Sequence, residues 1–197
     1  MIHLITGGSA SGKSAYAEQQ AMNGKGARFY IATMEVYGEE GHQRVARHRA
    51  MREGKGFVTI ECCLHLDRLK LPRQAGNGKP ETEDGGQEPE ALPNVLLECM
   101  TNLVANEQFS AGGSDAEILQ RILDGIQNLH SQADNLIVVT QDVGCDGVVY
   151  EEEVRRYQYL LGCVNRQLAK MADVVTEVVF GIPVCIKKPE QVSWQKG

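Results

Sequence analysis

No C-x-x-C pair and no regular cysteine framework occurs in the sequence, although it holds 6 cysteines, at positions 62, 63, 99, 145, 163 and 185. That pattern argues against a disulfide scaffold, and the lack of any matched His/Cys spacing argues against a structural zinc site. Several cysteines sit in apolar runs such as LLEC and VCIK, which predicts reduced, mostly buried thiols in a cytoplasmic protein. The N-terminal MIHLITGG enters an apolar run without a basic region or a cleavage signal, and no stretch has the uninterrupted apolar length of a bilayer span. The expectation is a soluble cytoplasmic chain with no membrane insertion. Positive charge is scarce too, with 20 Lys and Arg against 26 Asp and Glu and a net charge of -6. General attraction to nucleic acid or to an anionic surface is thereby excluded, and an anionic ligand must be held by charge gathered locally.

What is present fits one compact domain over residues 1–197, with 42% hydrophobic residues to build a core and no internal repeat. Short β-rich runs alternate with helical patterns, the sign of a mostly parallel sheet flanked by helices in an α/β fold. The strands are expected at Ile2–Ile5, Arg28–Ile31, Asn94–Leu97, Leu136–Thr140 and Val174–Val179, with Val184–Lys187 as a closing edge strand. Helices are expected over Lys13–Met22, Gly41–Arg52, Ala116–Gln132 and Glu151–Met171. The segment Pro72–Pro93 is rich in Gly, Pro and Glu and nearly free of large apolar groups, so a flexible loop inserted into the domain is expected there.

Directly after the first expected strand comes GGSASGKS, Gly7-Gly8-Ser9-Ala10-Ser11-Gly12-Lys13-Ser14, which satisfies G-x-x-x-x-G-K-[ST]. In such a loop the glycines turn backbone N–H groups toward phosphate oxygens, Lys13 reaches the β and γ phosphates, and Ser14 can ligate Mg²⁺ at the positive end of the following helix. The acidic partner of the metal has two candidates: Glu98, at the end of the apolar NVLLE run, and Asp142, just after LIVVT. Either can equally cap a helix or turn.

The stretch RVARHRAMR surrounds His48 with Arg44, Arg47, Arg49 and Arg52. On a helix, Arg44, His48 and Arg52 share one face a turn apart, an arrangement suited to a polyphosphate. Neighbouring positive charge disfavours imidazolium, so the ring is expected neutral and nucleophilic, and the arginines can neutralise a departing pyrophosphate. A solvated basic face balanced by Glu35, Glu39 and Glu40 is the alternative. His3, His65 and His130 have no such setting.

Taken together, ITGGSASGKSAYAE, FYIAT, RVARH, TIEC, LLEC with TNLVANEQF, VVTQDVG, VNRQLAKMADVV and FGIPVCIK resemble the bifunctional adenosylcobinamide kinase / adenosylcobinamide-phosphate guanylyltransferase family of cobalamin assembly. The resemblance implies a P-loop NTPase-like fold and two reactions with GTP or ATP as substrates: phosphorylation of the hydroxyl on the aminopropanol arm of adenosylcobinamide, and transfer of GMP from GTP to the phosphorylated corrinoid. His48 matches the histidine that carries GMP. The family's nucleotide contacts fall on Gly7–Ser14, on Ala32, Thr33 and Met34, on Arg49, Ala50, Met51 and Arg52, and on Glu61 and Glu98. The two carboxylates would accept the guanine N1–H and amine, so Glu98 carries both a base-recognition and a metal-support reading, the first preferred. A homotrimer is also implied.

The chain departs from the family pattern at Arg47, where a second histidine is common, at QDVGCDGVVY in place of N-E-V-G-x-G-I-V-P, and at Tyr157-Gln158-Tyr159 in place of F-R-D. The last two lie where cobinamide or kinase chemistry is expected. They leave open a guanylyltransferase that has lost its kinase step; a P-loop kinase for another small alcohol and a nucleotide-binding module without turnover are the remaining alternatives.

Overall fold

The computed structural model describes residues 1–35, 38, 39, 41, 43, 46, 50, 52–72, 91–143, 148 and 150–188. Along these the chain forms β1 (Ile2–Thr6), α1 (Lys13–Asn23), β2 (Arg28–Ala32), β3 (Phe57–Glu61), β4 (Asn94–Glu98), α2 (Met100–Asn106), α3 (Asp115–Ser131), β5 (Asn135–Val139), α4 (Glu152–Met171), β6 (Val174–Val179) and β7 (Ile182–Lys187). The seven strands make one sheet in the order β3-β2-β4-β5-β1-β6-β7, parallel throughout except for β7, which runs antiparallel to β6. The fold is therefore α/β with a mostly parallel sheet. Strands on both sides of residues 73–90 belong to that sheet; those residues, on which the loop expectation falls, lie outside the described ones.

Alternation along the central strands sends side chains to two cores. Ile2, Leu4, Phe29, Ile31, Val95, Leu97, Leu136 and Val138 pack with apolar residues of α2, α3 and α4 on one face. On the other, Ile5, Tyr30, Leu96, Ile137 and Val139 meet Ala17 and Ala21 of α1. Those two small residues, one turn apart, bring α1 close to the sheet just after the glycine-rich loop. Helix α3 begins at a capping box in which Glu117 N–H donates to Ser114 Oγ at 3.3 Å and Ser114 N–H donates to the Glu117 carboxylate at 2.9 Å. Helix α4 buries Leu160, Leu161, Val164 and Leu168, the apolar stripe of a surface helix.

Three elements differ from the sequence expectation. Strand β3 and helix α2 are additions to it, and β7 starts two residues early. Strand β3 lies at the sheet edge with Val58, Thr59 and Glu61 exposed, so no buried run marks it. Within the helix expected over Gly41–Arg52, the described residues Gly41, Gln43, Ala46, Ala50 and Arg52 are helical, and the others, His48 among them, lie outside the description. The expectation of mostly buried cysteines is corrected: Cys62, Cys63, Cys99 and Cys163 are half-buried and Cys185 is exposed. Cys185 lies on β7, which closes the sheet as the expected edge strand with every residue exposed. Among the described residues, no helix is long and apolar enough to cross a membrane.

Candidate active site

Parallel pairing brings the carboxyl ends of β1, β2, β3, β4 and β5 to one edge of the sheet, the place where open α/β sheets bind ligands. Ala32 is level with Glu61 on one side and Glu98 on the other. The loop from β1 to α1 curls over this edge. Gly7 has φ 152° and a Cβ there would meet Val178 O and Ser11 Oγ, each at 2.6 Å; Gly12, at φ 92°, leaves 3.3 Å between such a Cβ and Gly181 Cα. Gly7 therefore needs glycine for space as well as for conformation, and Gly12 for its conformation in a tight setting. Helix α1 opens with no side-chain cap, leaving its first N–H groups for a ligand.

A cleft of about 350 Å³ lies over this edge. Ser9, Ala10, Lys13 and Ser14 form its loop wall, with Ala32 and Met34, Arg52, Glu61 and Glu98 from four other segments. Lys13 Nζ donates to Gly8 O at 2.9 Å and to Gln141 Oε1 at 3.3 Å. Burial lowers its pKa from the ordinary lysine value, an effect partly offset by Cys99 and Glu98. The Ser14 hydroxyl donates to Glu98 Oε1, and Tyr30 OH donates to Glu98 Oε2 at 3.1 Å, so both carboxylate oxygens are engaged at the loop end of the cleft. Burial, followed by the Glu98 charge, raises the Tyr30 pKa, and the phenol stays a donor. Over the face of the same ring lies Arg52, its guanidinium carbon 3.4 Å from the ring centroid.

Supporting contacts fix these strand ends. Thr33 is fully buried and its hydroxyl donates to Cys99 O at 2.7 Å while accepting from Cys99 N–H at 2.8 Å. It ties β2 to β4 and does not line the cleft, unlike its neighbours Ala32 and Met34. Asn106 of α2 donates to Thr33 O at 2.8 Å and Cys63 O at 3.0 Å. From α4, Asn165 accepts from the Thr140 hydroxyl at 2.7 Å and donates to Gln141 O at 3.3 Å, setting the turn after β5. Gln141, not Asp142, lines the cleft. Where the family pattern has Asn, Gln141 keeps an amide oxygen on Lys13.

Within the phosphate loop, Ser11 and Gly12 face the β6–β7 turn, Ser11 O accepting from Gly181 N–H at 2.8 Å. Ala50 lines a second, open cleft of about 660 Å³ that shares Arg52 and Thr59 with the first. His48, Arg49 and Met51 lie outside the described residues. The motifs did not reveal Tyr30, Thr59, Thr101, Asn102, Thr140 and Gln141, all of which line the cleft; Thr140 and Gln141 carried one signal, their place just beyond an apolar strand.

Phosphate loop, uncapped helix end, lysine and adjoining Ser–Glu pair define an α/β protein of the P-loop class. The profile of one family, described as cobinamide kinase / cobinamide phosphate guanyltransferase, matches residues 3–186, and the chain belongs to that family. It is 34% identical to the bifunctional adenosylcobalamin biosynthesis protein CobU of Salmonella typhimurium, over 95% of this chain and 100% of that one. It shows the same identity and coverage against CobU of Escherichia coli. Against the bifunctional adenosylcobalamin biosynthesis protein CobP of Pseudomonas aeruginosa it is 30% identical, over 95% of this chain and 98% of the other.

Proposed function

We propose that this chain performs both reactions for which its family is named: phosphorylation of adenosylcobinamide by a nucleoside triphosphate, and transfer of GMP from GTP to adenosylcobinamide phosphate through a guanylyl-histidine at His48. The observation that carries the reading is that the phosphate loop, Glu61, Glu98 and Arg52, drawn from four segments of the sequence, wall one cleft.

For the kinase step, Lys13 and the N–H groups of the loop and α1 hold the phosphates in place while the alcohol oxygen attacks the γ-phosphorus. Ser14 Oγ and the Glu98 carboxylate are hard oxygen donors side by side, a set that fits Mg²⁺ shared with substrate phosphates. When bound, the ion neutralises charge on the triphosphate. We therefore assign Glu98 to the metal end, in place of the base-recognition role preferred from the resemblance, because Ser14 and Tyr30 engage both its oxygens. We assign Glu61, which lines the same cleft, to accept the guanine N1–H and amine.

For the transfer step, an imidazole nitrogen of His48 attacks the α-phosphorus of GTP, the bond to the bridging oxygen breaks, and pyrophosphate leaves against the arginines. A cytoplasmic location goes with this reading and with the free cysteines among the described residues. Association of copies into a homotrimer is part of it as well, supported by Ile182, Val184 and Ile186 standing exposed along β7.

The test is incubation with Mg²⁺ and GTP labelled in the α-phosphate, beside a γ-labelled control. Covalent label from the α position alone, stable to base, released by acid and lost in His48→Ala, is the expected result. No label with GTP binding intact removes His48 as nucleophile and leaves a P-loop kinase.

A further inference from the structure

The second cleft adjoins the nucleotide cleft but is a separate space. Arg52 and Thr59 stand in the wall common to both, and its remaining boundary includes Ala50, Glu53 and the backbone of Gly54 and Gly56. Arg52 is 7% exposed, and its Nε and Nη1 have no hydrogen-bond partner among the described residues. A buried guanidinium in that condition lacks the anion its donors are shaped for; the Tyr30 ring satisfies its face and leaves its edge. Size separates the two spaces further. About 350 Å³ suits a nucleotide, whereas a corrin ring with its side arms is several times larger than a nucleoside and has to remain outside. Ala50 and Arg52, which line the open cleft, follow His48 by two and four residues in the sequence.

We propose that this second cleft is the acceptor site: it receives the phosphomonoester end of a bulky phosphorylated alcohol, with Arg52 as the anion-binding group in the shared wall. The inference rests on the guanylyl-histidine reading and deepens it. An oxygen of the acceptor phosphate monoanion forms the new P–O bond to the α-phosphorus carried on His48. The P–N bond breaks, its electron pair returns to the imidazole, and the acceptor's proton ends on that nitrogen, leaving a neutral histidine and a diphosphate linkage. Arg52 serves both halves of the reaction, first beside the triphosphate and then beside the incoming phosphate. Glu53 sets the opposing charge in the lining.

The experiment loads the full-length protein with α-labelled GTP, removes free nucleotide, and follows loss of label over a single turnover against adenosylcobinamide phosphate concentration. Two variants are compared with the wild type, with the loading step as internal reference. Glu53→Trp fills the cleft and is expected to raise the half-maximal acceptor concentration by about tenfold or more. Glu53→Gln removes a carboxylate that repels the acceptor and is expected to lower it about twofold; needing no extra space, it keeps the test valid if the tryptophan disturbs folding. Equal acceptor dependence in all three proteins overturns the proposal, as does loading slowed in step with transfer, which would assign the cleft to the nucleotide. Absence of label on the wild-type protein fails the guanylyl-histidine reading itself, a result distinct from normal loading with unchanged transfer.

Discussion

Arg52 sits over the ring of Tyr30, 3.4 Å from guanidinium carbon to ring centroid, while the hydroxyl of that tyrosine holds Glu98 at 3.1 Å. One buried side chain thus joins the segment that carries His48 to the serine–carboxylate pair of the phosphate loop. Tyr30→Phe keeps the stack and loses only the hydroxyl, so the Mg²⁺ concentration for half-maximal kinase activity is expected to rise about tenfold, as for loss of one hydrogen bond to a charged group. Tyr30→Leu removes the stack too and is expected to weaken GTP binding by a further factor of about 3–10. Titration of both variants with Mg²⁺ and with GTP measures the two effects separately; equal behaviour of Phe and Leu would argue against the stack.

Lys13 is held by Gly8 O and Gln141 Oε1, within reach of the phosphate loop. Lys13→Met is expected to reduce kinase turnover by about 100-fold or more, with the far-ultraviolet spectrum unchanged. Gln141→Asn shortens the amide arm while keeping its oxygen, and turnover is expected within about threefold of the wild type, because the amide is one of two partners. Steady-state assays on both variants check this.

His3 is buried under α1, its Nε2 2.9 Å from Thr176 Oγ1, and burial lowers its pKa from the ordinary histidine value. In the unfolded chain the ring takes up a proton near its ordinary pKa; in the folded protein it does so only at lower pH. Between those two values the unfolded state binds more protons, so stability falls as pH drops through the window. Melting temperatures at pH 7 and pH 5 are expected to differ by a few degrees more in the wild type than in His3→Gln. An identical difference in both proteins would show that His3 takes no part.

Lys187 of β7 donates to Ala169 O at 3.2 Å, Lys170 O at 3.2 Å and Ala172 O at 2.6 Å, closing the carbonyl end of α4 with a cation. Lys187→Met is expected to cost about 0.5–1 kcal/mol, the usual worth of a charge at a largely exposed helix terminus. Calorimetry at low and high salt measures it, and the loss should shrink as salt screens the helix end.

Local pattern made part of this molecule legible in advance. The glycine-rich loop stood out because its geometry is dictated by a few residues at fixed spacing, and α3 and α4 because long amphipathic stripes repeat over several turns. Strand β3 did not, since its stability comes from backbone pairing with β2 at an exposed edge rather than from a buried run. Helix α2 covers only Met100–Asn106, too short for periodicity to separate it from a loop. Glu98 was placed at the site by the strand before it, but its role was not: only the register that sets Tyr30 beside Leu96 brings the phenol within reach of that carboxylate. Tyr30 and Gln141 were missed for the same reason, because their function arises from which strand ends and turns become neighbours. Arg52 was found through the pattern around His48, whereas its stack on an aromatic ring was not foreseeable from spacing.

The turn between β6 and β7 packs on the phosphate loop, with Gly181 N–H bonded to Ser11 O and Gly181 Cα against Gly12. Strand β1, which feeds that loop, pairs with residues 136–139 and 174–177. The loop's shape thus depends on segments far from it in sequence: β5 and β6 flank the strand that feeds it, and the β6–β7 turn braces it from the side. Contacts of such long separation form only after wide loops have closed, so the loop reaches its finished shape late in folding, when the sheet around it is complete. A site assembled in this way reports on the whole sheet, since any change that loosens β5, β6 or the β6–β7 turn also loosens the loop.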